Sequence, residues 1–227
     1  MTVPQDLLTP RVMFFCRLAL ALCLMVSLWG CNESRPRRHG GGGGGLSPAD
    51  EVAQLLAENE PFEFDFDLED IHGKRVSKAD FAGKVLIVDI WGTWCPPCRG
   101  EIPHFVALDQ EYRDRGLQIV GLNFEQVDNA KVAMKQVRQF CDAEGVRYPC
   151  ALAGERIIRQ VPDFEGFPTT LFFDHTGKVR MRVVGYHEPA FLKAAVEALL
   201  KDMPTGQTAH PAEGEQPDDA GEKPVEK

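Results

Sequence analysis

The chain has little that would suit a nucleic-acid binder. Its 25 lysines and arginines are outnumbered by 34 aspartates and glutamates, for a net charge of −9. A protein of that sign repels a phosphate backbone. Part of the charge lies in residues 203–227, so the folded part is less acidic than the total. The sequence also lacks a second Cys-x-x-Cys and any close pair of histidines. Zinc needs about four ligands, so no metal is expected at the one such pair. Long apolar runs are missing too. The stretch Leu18 to Trp29, preceded by Arg11 and Arg17, is about twelve residues, short of the roughly 20 that a spanning helix needs.

Enough apolar residues are present, 44% of 227, for one ordinary domain with appendages. Residues 1–31 read as an export signal whose apolar core is Leu18–Trp29. Leu28-Trp29-Gly30-Cys31 resembles a bacterial lipobox, which implies a lipid on Cys31, although Trp29 departs from the usual small or aliphatic residue. An uncleaved anchor and ordinary secretion are the other two readings. All three place the domain outside the cytoplasm, where disulfides persist. Residues 32–46 carry Arg35, Arg37, Arg38 and the glycines Gly40 to Gly45, a flexible linker. Its arginines could lie against anionic headgroups or simply be solvated. Residues 47–202 form the predicted domain. Residues 203–227, rich in Pro, Gly, Glu and Asp, are predicted to be disordered.

The domain is organised around Trp91-Gly92-Thr93-Trp94-Cys95-Pro96-Pro97-Cys98. Before it, Val85 to Ile90 is a short apolar, β-branched run, the pattern of a buried strand. After it, Ile102, Phe105, Leu108 and Tyr112 recur at helical spacing, predicting a helix over 99–115. The cysteine pair therefore falls where a strand hands over to a helix. Free N–H groups and the positive dipole end there favour a thiolate, the species that attacks disulfides. Pro96 and Pro97 cost little, because first-turn N–H groups have no helical partner.

Further elements follow from pattern. Ser47 to Glu60 is an amphipathic helix with Ser47 as N-cap and Pro48 at its first position. Phe62, Phe64, Phe66 and Leu68 alternate with acidic residues, predicting a half-buried strand. Asp70–Gly73 is then a turn and Lys74–Val76 a return strand. Strands are predicted at 118–123, 148–152, 169–173 and 178–184, the last two joined by an Asp174–Gly177 turn. Helices are predicted at 132–144, ended by Gly145, and at 188–201. Between them, β–β–β–α–β–α–β–β–α describes an α/β sandwich with a mixed central sheet.

Three stretches together resemble the thioredoxin superfamily, and within it the TlpA/ResA-like membrane-tethered reductases. They are Trp91 to Pro103, Gly166-Phe167-Pro168-Thr169-Thr170, and the Phe-rich hairpin with Asp80-Phe81-Ala82-Gly83-Lys84. The resemblance covers roughly residues 60–201. It implies a thioredoxin-like three-layer α/β/α sandwich with an N-terminal β-hairpin extension. It makes Cys95 the exposed nucleophile and Cys98 the less exposed resolving thiol, closing a redox disulfide. Alternation puts Asp89 on the side of Ile87 and Trp91, where desolvation raises a carboxyl pKa. The resemblance makes Asp89 the acid that exchanges a proton with the inner cysteine, although TlpA/ResA-like proteins commonly have Asn there. Glu101 matches an acidic position near the active site of ResA-like proteins, though an exposed helix carboxylate is an equal reading. Pro168 matches the cis-proline that faces the cysteine pair. Trp94, Pro96, Pro97, Phe167, Pro168 and Thr169 would then meet the substrate.

Cys141 and Cys150 remain. They are either free core thiols or a structural disulfide. His72, His104 and His175 carry no assigned role, and neither metal nor cofactor is expected. The resemblance implies an extracytoplasmic, membrane-anchored thiol–disulfide oxidoreductase that reduces disulfides of envelope proteins, such as apocytochrome c or copper-site assembly proteins. Its electrons would come through a membrane thiol carrier of the CcdA/DsbD type. An oxidase or isomerase and a copper-site assembly chaperone on the same fold are the alternatives.

Overall fold

The computed structural model describes residues 45–204. The expected export signal with Cys31, the linker through residue 44 and the acidic tail from residue 205 lie outside the described residues. Among the described residues no helix is long and apolar enough to cross a membrane.

The first helix, α1 (Pro48–Glu58), begins as its sequence dictates. The Ser47 hydroxyl accepts from Asp50 N at 3.2 Å, Pro48 occupies the first turn, and Val52 is its buried contact. A small hairpin follows, β1 (Asp67–Glu69) and β2 (Arg75–Ser77), with Leu68 opposite Val76. Its turn is tied by the Asp70 carboxylate, which accepts from His72 N and Lys74 N, each at 2.8 Å. The hydrogen-bonded strand is shorter than the alternation predicts. Residues 62–66 cross the sheet face instead of joining a ladder. Phe62 alone bridges to Val179, and the Gln160 side chain takes both backbone groups of Asp65. Phe64 and Phe66 are buried as predicted. Their alternation reports which side chains are inside, not whether a neighbouring strand is present.

The main sheet runs β5-β4-β3-β6-β7. Here β3 is Val85–Trp91, β4 Leu117–Asn123, β5 Cys150–Leu152, β6 Thr169–Phe173 and β7 Val179–Val184. β3 is parallel to β4 and β4 to β5, whereas β6 and β7 are antiparallel additions. All seven residues of β3 are buried. A central strand covered on both faces needs apolar residues throughout, which accounts for its unbroken run. On one face, α1, α2 (Pro96–Tyr112), α3 (Ala130–Glu144) and α5 (Pro189–Lys201) pack against Ile87, Trp91, Ile119 and Phe172. On the other, Leu86, Val88 and Ile90 meet Phe64, Phe66 and the one-turn α4 (Glu155–Ile158), which the periodicity did not predict. The result is the expected three-layer α/β sandwich, with its second outer layer made mostly of extended chain. Burying each large side chain contributes about 1.5–3 kcal/mol.

Candidate active site

Parallel strands β3 and β4 end at the same edge of the sheet, and open α/β sheets place their sites outside such carboxyl ends. The loop after β3 carries the cysteine pair. Cys95 is the N-cap of α2, with the two prolines in the first turn, and its sulfur accepts from Cys98 N at 3.3 Å. The helix thus starts earlier than its apolar spacing alone indicated. Cys95 and Cys98 are joined by a disulfide, 2.01 Å between sulfurs. Cys95 was expected to be exposed. In this oxidised state it is 3% accessible and Cys98 1%. Position, not exposure, distinguishes them: Cys95 sits at the mouth of the helix and Cys98 one turn inside.

The rim around them is apolar. Trp94 is 38% exposed and meets Phe167 edge-on, ring centroids 5.2 Å apart. Phe124 and Phe164 extend the cluster, 5.6 and 5.2 Å from Phe167. Neither was singled out from the sequence, since each is one aromatic in a loop remote from the motif. Pro96 and Pro97 are exposed, Phe167 is half-buried, and Pro168 and Thr169 are buried. The Phe167–Pro168 bond is cis, as the resemblance implies. Thr169 pairs with Ile90, so Pro168 lies one residue past the ladder, beside the end of β3.

Two buried carboxyls stand on the elements that flank the cysteine loop, Asp89 on β3 and Glu101 on α2. Asp89, in the middle of β3, is 1% exposed, and its Oδ1 has no hydrogen-bond partner. Burial, then the charge of Glu101, pushes its carboxyl well above the ordinary range. Glu101 is not the exposed helix residue that was the equal reading. It is fully buried on α2. Its Oε1 accepts from His187 N at 2.9 Å, while Oε2 has no partner. Burial raises its pKa to about 7, with the His187 N–H opposing. His187 itself, from the loop before α5, was not predicted; nothing local ties it to the motif. His104 also finds a partner, the Tyr186 hydroxyl at 2.9 Å.

Glu125 is a further residue that sequence reasoning missed. Its Oε1 accepts from Thr93 N at 2.9 Å and Asn123 Nδ2 at 3.0 Å, and its Oε2 from Thr93 Oγ1 at 2.9 Å. Trp94 Nε1 donates to Phe124 O at 2.8 Å, and Phe124 N to Trp91 O at 2.7 Å. The loop after β4 therefore clamps the loop that presents Cys95. The expected result for Glu125→Ala is about a tenfold fall in disulfide reduction and a stability loss of about 1–3 kcal/mol, from the Thr93 N–H left unpaired. Glu125→Gln keeps an acceptor for that N–H and should recover most of the loss. Insulin reduction and thermal melts measure both.

Among the described residues no group of three or more His, Cys, Asp or Glu could hold a metal. What the geometry offers is sulfur chemistry: a dithiol–disulfide couple at a helix start, an apolar rim, and two carboxyls whose burial makes them hold their protons more tightly than usual. The sequence profile of the AhpC/TSA family matches residues 62–182. The chain belongs to the AhpC/TSA family. Within it, the chain is similar to proteins named thiol–disulfide oxidoreductase ResA. One, from Bacillus subtilis, is 35% identical over 120 residues, 53% of this chain and 64% of the relative. Another, from Bacillus thuringiensis, is 30% identical over 156 residues, 68% of this chain and 82% of the relative. Among solved structures, a thioredoxin-family thiol:disulfide interchange protein from Chlorobium tepidum matches 63% of this chain and 99% of its own. That match has 29% identity and a TM-score of 0.56. This AhpC/TSA-family chain is an enzyme of the thiol–disulfide oxidoreductase type, on a thioredoxin-like fold.

Proposed function

We propose that the protein is a reductant of protein disulfides, held at the membrane outside the cytoplasm by its N-terminal segment. The observation that carries this reading is the Cys95–Cys98 couple at the start of α2, between a strand and a helix that each bury a carboxyl, Asp89 and Glu101. In the reduced enzyme, the Cys95 thiolate attacks one sulfur of a substrate disulfide. An enzyme–substrate disulfide forms and one substrate thiolate leaves. Asp89 takes the Cys98 proton, and Cys98 then attacks Cys95. The second substrate thiolate departs, the Cys95–Cys98 bond closes, and two electrons have passed to the substrate. Trp94, Phe124 and Phe167 supply the apolar surface on which a peptide beside the substrate disulfide rests, and the chain at Phe167 offers an edge for its backbone.

Working as a reductant outside the cytoplasm requires a membrane thiol carrier, of the CcdA/DsbD class, to reopen Cys95–Cys98. Disulfides of apocytochrome c or of copper-site proteins are the substrates that the ResA-like character favours. The lipobox-like sequence ending at Cys31 supports lipid anchoring, and an uncleaved helix would serve the same purpose. Equilibration with thiol buffers tests the direction. A Cys95/Cys98 potential near the thioredoxin value of about −270 mV is expected, and one near about −120 mV would identify an oxidase instead. Recovery of the intact chain in the cytosolic fraction of its host would overturn the location.

A further inference from the structure

Two cysteines that the mechanism leaves unused lie against each other. Cys141 is in the last turn of α3 and Cys150 is the first residue of β5. Their sulfurs are 3.7 Å apart, with the Cys141 thiol donating to Cys150, and both residues are at most 2% exposed. They are thiols in this structure, so the bridge that was one reading of the sequence is unmade here. Space around them is shaped for sulfur. Gly121 stands opposite Cys150 on β4, and a Cβ there would fall 2.8 Å from Cys150 Sγ and 2.9 Å from Trp91 Nε1. The backbone on both sides is held. Gly145 N and Val146 N, past the end of α3, point back to Cys141 O, and Ile71 N donates to Cys150 O at 2.8 Å. A bond of about 2.05 Å then requires the sulfurs to approach by about 1.7 Å.

We propose that Cys141 and Cys150 form a second disulfide, a permanent staple between α3 and β5, separate from the redox couple. The step rests on the proposed location, which supplies the oxidant: a protein or glutathione disulfide of an oxidising compartment. One cysteine, as thiolate, attacks that disulfide and displaces one thiol. The other attacks the resulting mixed disulfide and displaces the second. Two protons leave and the oxidant gains two electrons. The exchange belongs to the folding chain, before burial. In the folded domain the hydrogen bond from Cys141, and then burial, push the Cys150 thiol well above its ordinary range, so the closed core is slow to react. The same burial keeps the staple out of the traffic through Cys95.

Peptide mapping of the full chain tests this. Protein isolated from its native host is denatured in an alkylating agent, and a second sample is unfolded, reduced and refolded in a glutathione redox buffer. The expected product in both is a linked Cys141–Cys150 peptide pair that survives a dithiothreitol dose sufficient to open Cys95–Cys98. Alkylated Cys141 and Cys150 in the refolded sample would overturn the proposal. A bridge in the refolded sample but free thiols in the host sample would overturn the location and leave the staple chemistry standing. Stability supplies a second readout. Cys141→Ala, Cys150→Ala and the double variant should each lose about the same, roughly 5–10 °C in melting temperature, because either single change removes the whole bond. Losses that simply add between the two sites would mean no bond existed.

Discussion

Cys95→Ser is expected to lower insulin reduction at least about a thousandfold, to the uncatalysed rate, whereas Cys98→Ser should capture substrates as stable mixed disulfides. The asymmetry follows from position in α2. Cys95 caps the helix, where free N–H groups and the helix dipole favour a thiolate. A serine hydroxyl at the same place is far less ionised and cannot open a disulfide at neutral pH. Cys98, one turn inside, acts in the proposed mechanism only on the intermediate. Without it the first attack proceeds and the second stops. Both are almost fully buried when oxidised. Non-reducing electrophoresis after mixing with an unfolded disulfide protein reads the result. Capture by Cys95→Ser instead of Cys98→Ser would reverse the assigned roles.

The second large effect concerns stability against pH. Glu101 has its pKa raised from 4.5 to about 7 by burial, which corresponds to about 3 kcal/mol between its two protonation states. The folded protein holds that proton over a window in which the unfolded chain has already lost it. Stability therefore falls as pH rises from about 4.5 to about 7 and is flat above, as far as this group is concerned. Glu101→Gln keeps the shape and an acceptor for His187 N but cannot ionise. On the oxidised protein it should be about 2 kcal/mol more stable than the parent at pH 8 and no more stable at pH 4. Urea titrations across that range decide it, and parallel curves for the two proteins would show that Glu101 does not ionise on unfolding. Asp89, pushed up in the same direction, should add to the same slope, and Asp89→Asn should remove that part while flattening the pH–rate profile of exchange. On the proposed mechanism, these two destabilising carboxyls are the proton store that Cys98 draws on as it loses and regains its proton.

Much of this domain is written in local pattern. The strand–loop–helix carrying the cysteines, the Ser47 cap, the Gly145 stop and the Asp174 turn all appear where short-range rules place them, because caps, turns and apolar periodicity are set by residues within a few positions of one another. Asp89 was readable for the same reason: one acid in an apolar strand has only one face to occupy. Glu101 was not, since a helix carboxylate is exposed or buried according to what packs over it, and the group that does so contributes His187, 86 residues away. The Glu125 clamp on Thr93, the crossing of Phe62–Phe66 without a ladder, and the meeting of Cys141 with Cys150 are of the same kind. Local free energies choose the elements. Which polar groups lose their water, and which sulfurs touch, is decided when those elements close on each other and exclude solvent from between them.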